Sequence, residues 1–476
     1  MMERVRKTKI VCTLGPATTD ATTMRRLVAA GMDVARINLS HGTHEEHRGR
    51  IHAVRAAAES GGKVVAVLGD LGGPKIRLGE VAGQAELKSG QRFVLTTRPV
   101  PGDSQTVSVN YPGLPSEVRP GEAILLADGA LELKVIERTG TDVVCEVVVG
   151  GTISSRKGVN LPSTRLKISA VTEKDREDIA FAVREKLDYL AVSFVRRAQD
   201  VLDARAALEE HAASIPIISK IEKPEALSAL ANIIDVSDGI MVARGDLGVE
   251  IPLERVPVVQ KEIIRKTRML GKPVITATQM LRSMVDSPRP TRAETTDVAN
   301  AIIDGTDAVM LSEETAVGRY PVEAVRTMHN IALEAEAAMV QDWFPRAQEP
   351  VRRHDLQSAI AQAVLDASKH PDVSVIVTPS ARGTTPMLVS RLRPDKPVLM
   401  LTESERVARR FALIWGVTPV QVKMPRELDD VFVHAGREAR KRGLLAPGGL
   451  AIITAGFPIF GTPTNLIYVY KLEREK

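Results

Sequence analysis

The sequence predicts an α/β protein built on a (β/α)8 TIM barrel, with a small all-β lid domain inserted into it and a doubly wound α/β domain at the C-terminal end. The first observation behind this prediction is the alternation of short β-branched apolar runs with helical patterns. The eight runs are KIVCTLG, DVARINLS, KVVAVLGD, LDYLAVSFV, IPIISKIE, DGIMVARGD, KPVITATQ and DAVMLSEE. Runs that are apolar on both faces are typical of a parallel sheet covered on both sides, which at eight strands closes into a barrel.

The second observation is an interruption of this alternation after the third run. Residues 72–155 show β patterning with frequent Gly and Pro, as in SGQRFVLTTRPVPGDSQ and LELKVIERTGTDVVCEVVVGG. The pattern predicts an inserted β-barrel lid domain, which leaves residues 1–71 and 156–340 for the catalytic barrel. Because the insertion follows the C-terminal end of a strand, we expect the lid on the catalytic side of the barrel.

The third observation is a second set of alternating runs near the C-terminus. The segment VQDWFPRAQEPVRRHD has the Pro and charge content of a linker. Beyond it, DVSVIVTPS, KPVLMLTES and GGLAIITAG alternate with helical patterns. This predicts a doubly wound α/β domain over residues 351–476, for which we expect a role in oligomerisation and effector binding.

Composition limits the class of protein. The 476 residues suffice for two to four domains, and 44% hydrophobic with 26% charged residues is ordinary for a folded chain. A net charge of +5 suits anionic small molecules, and no basic block or aromatic platform argues for nucleic acid. Two distant cysteines, Cys12 and Cys145, favour a reducing compartment. Since neither a signal peptide nor an apolar run of membrane-spanning length is found, we expect a cytoplasmic protein without a membrane partner.

Polar residues lie at the C-terminal ends of the predicted barrel strands, where such barrels assemble their active sites. In the stretch SKIEKPE, Lys220 and Glu222 point to one face of the strand and Ile221 to the other. Taken alone, this pattern favours an exposed ion pair at a strand end. The other strand ends reverse that interpretation, because they carry Arg36, Asn38, Ser40, Asp70, Ser193, Arg244, Gly245, Asp246, Thr278, Ser312 and Glu314.

These residue types predict a Mg²⁺-assisted site for a phosphorylated, carboxylated small molecule. The carboxylates of Glu222 and Asp246 suit a divalent cation that keeps positions free for substrate oxygens. Arg36 and Lys220 are cationic donors for an anionic substrate, and Gly245 lets backbone amides approach a ligand. Two alternatives remain at this point. One is an aldolase or lyase acting on a pyruvate-like substrate, and the other is a catalytically silent relative of such enzymes that is retained as a binding protein.

Several stretches together resemble the pyruvate kinase family. They are KTKIVCTLGPAT, GMDVARINLSHG, GGPKIRLG, SRKGVNLP, IISKIEKPE, VARGDLGVEIP, TATQMLRSM and RPTRAETTDVANAIIDGTDAVMLSEETAVGRYP, in the family's order over residues 9–321. The resemblance implies transfer of the phosphoryl group of phosphoenolpyruvate to ADP, giving pyruvate and ATP in the last step of glycolysis. It also implies a homotetramer.

The resemblance implies roles for individual residues. Glu222 and Asp246 would hold Mg²⁺ or Mn²⁺, and Lys220 and Arg36 would stabilise the phosphoryl group. Thr278 would bind the substrate carboxylate together with Gly245. Thr278 with a water is also the family's suggested proton donor to the enolate, with Ser312 and Glu314 left open as relays. The residues implied for the nucleotide are Asn38, His41, Arg77 and Lys157.

The resemblance further implies a monovalent-cation site formed by Asn38, Ser40, Asp70 and the backbone of Leu71. Family members that need K⁺ tend to have Thr at the position of Leu71 and Glu at the position of Lys75. A fixed ammonium near the phosphate could replace the charge of the mobile ion. We therefore expect K⁺ to be dispensable, the alternative being that Lys75 points to solvent at the lid hinge.

Two remaining segments carry weaker predictions. TPSARGTTP resembles the family's effector loop and GFPIFGTPTN its companion, which predicts a site for a phosphorylated allosteric effector. Its candidate residues are Thr378, Ser380, Arg382 and Thr384, with a plain βα turn as the open alternative. In SHGTHEEH, Thr43 and Glu46 form a capping-box pattern, so we interpret His44 and His47 as solvated residues rather than metal ligands. Glu313 is expected to turn outward.

Overall fold

A computed structural model describes residues 4–164, 166–340, 355–456 and 462–472. The predicted linker lies almost wholly outside these residues, and part of GFPIFGTPTN does too. Among the described residues, no helix combines the length and the apolar character needed to cross a lipid bilayer.

The chain begins with two βα units and a third strand. These are β1 (Lys9–Leu14), α1 (Ala21–Ala30), β2 (Val34–Asn38), α2 (His44–Ser60) and β3 (Ala66–Asp70). Helix α1 begins after Asp20, whose carboxylate accepts hydrogen bonds from two backbone amides of the first turn. Helix α2 begins with the predicted capping box, in which Thr43 and Glu46 each accept the backbone N–H of the other.

The inserted domain forms its own β structure and its own core. Its elements are β4 (Gln84–Leu87), β5 (Arg92–Thr96), β6 (Thr106–Ser108), α3 (Leu114–Glu117), β7 (Ala123–Leu126), β8 (Leu131–Arg138), β9 (Asp142–Val149), β10 (Gly151–Ser154) and β11 (Val159–Asn160). Alternate residues of these strands, such as Phe93 and Leu133, face the apolar core.

The strands of this domain agree with the predicted β-barrel lid, but the domain extends beyond the predicted limits of residues 72–155. The strands form a six-stranded sheet in the order β11-β7-β8-β9-β5-β6 and a separate pair, β10-β4. Bridges of Arg77 with Gly158, next to β11, and of Leu78 with Val109, next to β6, connect the two edges of the six-stranded sheet, as a barrel requires. Strand β11 lies beyond the predicted boundary and joins the sheet through β7. The return segment to the barrel is therefore part of the inserted domain.

The remaining elements complete the barrel. They are α4 (Glu173–Arg184), β12 (Tyr189–Val192), α5 (Ala198–Glu209), β13 (Ile217–Ile221), α6 (Pro224–Ser228), α7 (Leu230–Val236), β14 (Gly239–Ala243), α8 (Arg244–Glu250), α9 (Val256–Met269), β15 (Val274–Ala277), α10 (Arg292–Ile303), β16 (Ala308–Leu311), α11 (Glu313–Ala316) and α12 (Pro321–Val340). The parallel strands close in the order β1-β16-β15-β14-β13-β12-β3-β2, which confirms the predicted (β/α)8 barrel. Aliphatic side chains such as Leu68, Ile218 and Met241 fill its interior.

The C-terminal unit confirms the predicted doubly wound domain. It contains α13 (Leu356–Ser368), β17 (Val373–Pro379), α14 (Thr384–Arg391), β18 (Val398–Thr402), α15 (Glu405–Phe411), β19 (Val417–Gln421), α16 (Leu428–Lys441), β20 (Leu450–Ala455) and β21 (Leu466–Lys471). The sheet order is β19-β18-β17-β20-β21, with only β21 antiparallel. This unit packs on the N-terminal end of the barrel, where the Tyr189 hydroxyl donates to the Arg410 carbonyl at 2.6 Å. The opposite, catalytic end is left to the inserted domain.

Candidate active site

The predicted lysine at the end of β13 is buried among counter-charges. The Lys220 Nζ lies 2.9 Å from Glu222 Oε1, 3.3 Å from Asp70 Oδ1 and 2.8 Å from Ser193 Oγ. Burial alone would lower the pKa of Lys220, but the two carboxylates outweigh it and raise that pKa above its ordinary value. The barrel mouth therefore holds a permanently charged ammonium with little access to bulk water.

A second cation lies beside this lysine. Arg36, at the end of β2, donates to Asp70 Oδ2 at 2.6 Å and to Thr13 Oγ1 at 3.0 Å. Burial would raise the pKa of Asp70, but the charges of Lys220 and Arg36 hold it below the ordinary value. Asp70 is thus a carboxylate shared by both of the cationic residues predicted to contact substrate.

The donor set for a divalent cation consists of Glu222 and Asp246. Glu222 Oε2 accepts the Phe194 N–H at 2.7 Å, whereas the buried Oε1 has no aligned hydrogen bond, although the Lys220 ammonium lies close to it. Burial raises the pKa of Glu222, Lys220 opposes this, and the Asp246 charge adds to the rise. A buried carboxylate with a spare oxygen near a second carboxylate fits Mg²⁺. No cluster of three or more such ligands occurs among the residues described, so water or substrate would supply the other positions.

The ends of β14 and β15 are joined by a strained contact. The Gly245 N–H donates to Thr278 Oγ1 at 3.0 Å, and Thr278 has a φ of +71°, which is unusual for a β-branched residue. A Cβ at Gly245 would lie 3.0 Å from Thr278 Cγ2, tighter than ordinary packing. Arg244 donates to the carbonyls of Ala277 and Thr278, at 3.1 and 2.7 Å, and so holds this backbone in place. Strain of this kind is typical of functional sites.

A basic cleft of about 460 Å³ separates the inserted domain from the barrel mouth. Its walls include the predicted nucleotide residues His41, Arg77 and Lys157, together with Lys75 and Asp246. Burial lowers the pKa of His41, and the positive charges of Lys75 and Arg77 lower it further. An anionic ligand with several phosphate oxygens is the partner that such a cleft favours.

Comparison with known proteins identifies the family. Family models described as "Pyruvate kinase, barrel domain" and "Pyruvate kinase, alpha/beta domain" match residues 5–325 and 358–470. A curated pyruvate kinase of Geobacillus stearothermophilus is 48% identical over 470 residues, covering 98% of this chain and 80% of the relative. The chain belongs to the pyruvate kinase family. Pyruvate kinase of Staphylococcus aureus strain USA300 is 46% identical over the same length, with the same coverage.

The fold agrees with this assignment. The crystal structure of a pyruvate kinase from Cryptosporidium parvum matches with a TM-score of 0.90 and 38% identity, covering 98% of this chain and 96% of that one. Pyruvate kinases are phosphotransferases that form pyruvate and ATP from phosphoenolpyruvate and ADP. The predicted family, fold and class of activity are therefore confirmed.

Several of the oxygens implied for the family's monovalent cation already have protein partners. Asn38 Oδ1 accepts the Ser40 N–H at 3.1 Å, and the Leu71 carbonyl accepts from Ser193 Oγ at 2.7 Å. Asn38 and Asp70 are paired in register at the ends of β2 and β3, so the implied ligands do lie in one region. Lys75 is exposed on the cleft wall, with its Nζ 5.7 Å from the centre of the Phe194 ring.

Glu314, left open as a proton relay, has both oxygens occupied by backbone amides. Oε1 accepts from Leu281 N at 3.0 Å and Oε2 from Ser312 N at 2.7 Å, in a fully buried position. Glu313 turns outward as expected and pairs with Arg282 at 2.7 Å. Both glutamates lie in the first turn of α11, so their different orientations come from a helical turn rather than from a strand.

The two histidines of α2 have different environments. His44 is half-buried, with Nε2 2.8 Å from Asp178 Oδ1 and its ring stacked on Phe181 at 4.4 Å. His47 is 2% exposed, so the expectation of a solvated side chain was wrong for this residue. Burial lowers the pKa of His47, which favours the neutral ring.

The residues predicted for the effector site do not all lie at the turn before α14. Ser380 Oγ accepts the Gly383 N–H at 3.0 Å, and Arg382 and Thr384 are exposed beside it at the start of α14. Gly383 has a φ of +86°, and any Cβ there would collide with Phe411. Thr378, in contrast, is fully buried with its hydroxyl directed at the Leu399 carbonyl, so its side chain is not presented at the turn.

One residue near the site, Phe194, was not identified by the sequence analysis. Phe194 orients Glu222 through its N–H, and its ring lies beneath the Lys75 and Lys223 ammonium groups. Its φ of +55° is a conformation that a bulky residue rarely adopts. The only signal in the sequence was its place directly after Ser193, since no pattern predicts a positive φ for phenylalanine.

Proposed function

We propose that the barrel mouth transfers the phosphoryl group of phosphoenolpyruvate to ADP, with Lys220 as the residue that stabilises the transferring group. The observation that carries this proposal is the burial of the Lys220 ammonium beside Arg36. Phosphoryl transfer spreads negative charge over the equatorial oxygens, and preorganised cations at that place lower the barrier. Lys220 and Arg36 supply two such cations, and Asp70 fixes both.

We propose Glu222 and Asp246 as the ligands of Mg²⁺ or Mn²⁺. The bound ion would supply positive charge to the substrate carboxylate and phosphate. The support is the buried Glu222 Oε1, which faces the Lys220 ammonium without an aligned hydrogen bond, and the mutual repulsion of the two carboxylates. Phe194 orients Glu222 by its backbone N–H.

Thr278 is our candidate for the group that orients the water protonating the enolate at carbon. Its hydroxyl oxygen accepts the Gly245 N–H, which leaves the hydroxyl proton free to point into the site. Gly245 and Thr278 would also hold the substrate carboxylate. Glu314 is less suited to a relay, because two backbone amides occupy its oxygens.

The nucleotide would lie in the basic cleft, contacting His41, Arg77 and Lys157, which line it. Asn38, also predicted for the nucleotide, is at the end of β2 and is not part of that lining. Arg77 and Lys157 lie on the two segments that connect the inserted domain to the barrel, and Arg77 pairs with Gly158 across them. Closure of the inserted domain over the barrel would therefore bring both side chains to the phosphates and exclude water before transfer.

We propose that K⁺ is dispensable because the Lys75 ammonium supplies the positive charge in its place. The cleft position of Lys75 and the partnered oxygens of Asn38 and Leu71 support this. A cytoplasmic homotetramer with a phosphorylated effector at the Ser380 turn is proposed from the family alone.

The experiment measures pyruvate formation from phosphoenolpyruvate and ADP with Mg²⁺, in K⁺-free buffer and with KCl, at matched ionic strength. We expect full activity without K⁺ in the natural protein and K⁺-dependent activity in Lys75→Glu. Lys134→Glu is the matched control, because it makes the same charge change at an exposed position of β8, outside the cleft.

The outcomes separate the parts of the proposal. Activity of the natural protein only with K⁺ would refute the Lys75 argument while leaving the phosphotransferase intact. No pyruvate formation in either buffer would refute the phosphoryl-transfer proposal and direct the assay to lyase substrates.

A further inference from the structure

A second basic cleft lies at the seam between the barrel base and the C-terminal unit. Its lining includes Arg268, Asp307, Arg391 and Arg393. Asp307 directly precedes β16, so this cleft is at the N-terminal end of the barrel, opposite to the active site. None of these residues has a role in the proposed reaction.

Arg393 is held rigidly at the seam and keeps unused donor capacity. Its Nη2 donates to the Gly305 carbonyl at 2.8 Å and to Asp307 Oδ1 at 2.9 Å. Its guanidinium lies over the Trp415 ring, 4.4 Å from the centroid. Its Nη1 is buried and finds no hydrogen-bond partner within the part of the chain that the structure describes. A buried guanidinium nitrogen without an acceptor is costly unless something supplies one.

Arg268, on α9, brings a second guanidinium to the same place. It packs against Gly305, where an added Cβ would collide with it and where φ is +97°. Across residues 4–164, 166–340, 355–456 and 462–472, no hydrogen bond or ion pair to the Arg268 side chain is found. The nearby carboxylate of Asp307 is already used, since Oδ2 accepts the Val274 N–H at 2.9 Å.

The remaining charges do not neutralise this pair. Arg391 directs Nε to the Gly271 carbonyl at 2.9 Å, and Lys272 directs Nζ to the Ile234 carbonyl at 2.7 Å. Burial lowers the pKa of Arg393 to about 10; Asp307 and Glu336 oppose the shift, and the Arg268 charge adds to it. Positive charge is thus in excess where Arg268 and Arg393 meet.

We propose that this seam cleft binds an oxyanion of the phosphate class, held between the guanidinium groups of Arg268 and Arg393. Two guanidinium groups with spare donors are the arrangement that phosphate oxygens favour. The space of about 20 Å³ is on the order of one or two water molecules, so it can take the oxygens of an oxyanion head group but not a whole nucleotide. The ligand is either inorganic phosphate or the phosphate of a small metabolite whose remainder projects through the open side.

Binding at this place would link two folding units. Arg268 belongs to the barrel, and Arg393 follows α14 of the C-terminal unit. The anion would therefore bridge the seam and stabilise the docked arrangement of the two units by mass action.

The test is calorimetric titration of inorganic phosphate into the full-length protein, Arg268→Gln and Arg268→Lys. Arg382→Gln is the matched control, because it removes an arginine from the other candidate phosphate site, at the Ser380 turn. Phosphate bound in the active site is common to all four proteins and cancels in the comparison.

We expect Arg268→Gln to weaken one binding event by about tenfold or more, the effect of losing one charge-assisted hydrogen bond, and Arg268→Lys to weaken it less. Arg382→Gln should leave that event unchanged.

Parallel titrations with glycerol 3-phosphate identify the source of the anion. Tighter binding of this ester than of inorganic phosphate, lost in Arg268→Gln, supports a metabolite. Equal or weaker binding, with the same loss for inorganic phosphate, supports the free ion. Unchanged phosphate binding in Arg268→Gln would overturn the proposal. The proposal would also be overturned if sodium chloride at equal ionic strength abolished the phosphate binding signal equally in the natural protein and in Arg268→Gln.

Discussion

At the scale of single residues, the active site is organised by buried charges that neutralise one another. Lys220 and Arg36 share the Asp70 carboxylate, and Lys220 also faces Glu222. Lys220 and Asp70 are both desolvated, and each is kept ionised by the opposite charges beside it. The site is therefore already charged and oriented before substrate arrives, which is the condition for electrostatic stabilisation of a transition state.

Replacement of Lys220 tests this arrangement. We expect Lys220→Gln to lower kcat by roughly 10²–10³, because a preorganised cation at the transferring group is lost. The KM for phosphoenolpyruvate should change far less, since Arg36 remains. Steady-state kinetics measures the split, and Lys134→Gln on the exposed face of β8 is the control. A kcat equal to that of the natural protein would contradict the role of Lys220.

The position of these residues at the barrel mouth was predictable, but their environments were not. Lys220, Glu222 and Asp70 follow from strand alternation and from the rule that parallel barrels present their strand ends together. The burial of His47 was missed because it depends on packing against Phe181 of α4, far away in the sequence. Long-range packing of this kind leaves no trace in a local pattern.

At the scale of elements, short helices after the barrel strands hold the site loops in place. Helix α11 is four residues long and could not be stable alone. It is anchored by Glu314, which accepts the backbone amides of Ser312 and of Leu281 on the preceding loop. The carboxylate thus joins the ends of β15 and β16, and its function is structural in this arrangement.

Replacing each of the two neighbouring glutamates by glutamine tests whether Glu314 stabilises the fold or takes part in catalysis. We expect Glu314→Gln to lower the free energy of unfolding by about 1–3 kcal/mol, because one buried amide loses its acceptor. Glu313→Gln, which removes only an exposed pair with Arg282, should change it by about 0–1 kcal/mol. Urea unfolding measures both. If Glu314→Gln lowered kcat and left the free energy of unfolding unchanged, the result would instead support Glu314 as a proton relay.

The barrel elements were predictable because each of the eight runs has a β-branched apolar centre and ends in polar or turn residues. The pairing within the inserted domain was not, because several short strands of similar polarity allow more than one arrangement. The pair β4 and β10, for example, contains only four residues in each strand. Its separation from the six-stranded sheet depends on turn geometry that single residues do not specify.

At the scale of the whole molecule, the two α/β units meet through buried ion pairs. Asp188, just before β12, is fully buried and accepts from Arg409 of α15 at 2.8 Å and from Val67 N at 2.8 Å. Burial raises the pKa of Asp188, although Arg409 opposes the shift. The seam thus depends on a charge from the C-terminal unit to keep a barrel carboxylate ionised.

Removing that charge should weaken the molecule in a pH-dependent manner. Arg409→Gln leaves Asp188 buried without its counter-charge, and we expect a loss of about 3–5 kcal/mol in the free energy of unfolding at neutral pH. The pKa of Asp188 in the folded variant should rise further above its unfolded value of 3.8. Between these two pKa values the folded state binds more protons than the unfolded state, so stability falls as the pH rises. The loss should therefore be smallest near pH 4 and grow towards neutrality.

Urea unfolding of Arg409→Gln between pH 4 and pH 8 measures this dependence. Arg406→Gln is the matched control, because Arg406 lies on the same helix, is exposed and donates a hydrogen bond to the Ser214 carbonyl across the seam. We expect its loss to be within about 1 kcal/mol and independent of pH. A loss in Arg409→Gln that did not vary with pH would show that the arginine contributes by packing alone, since only an uncompensated carboxylate couples this position to protons.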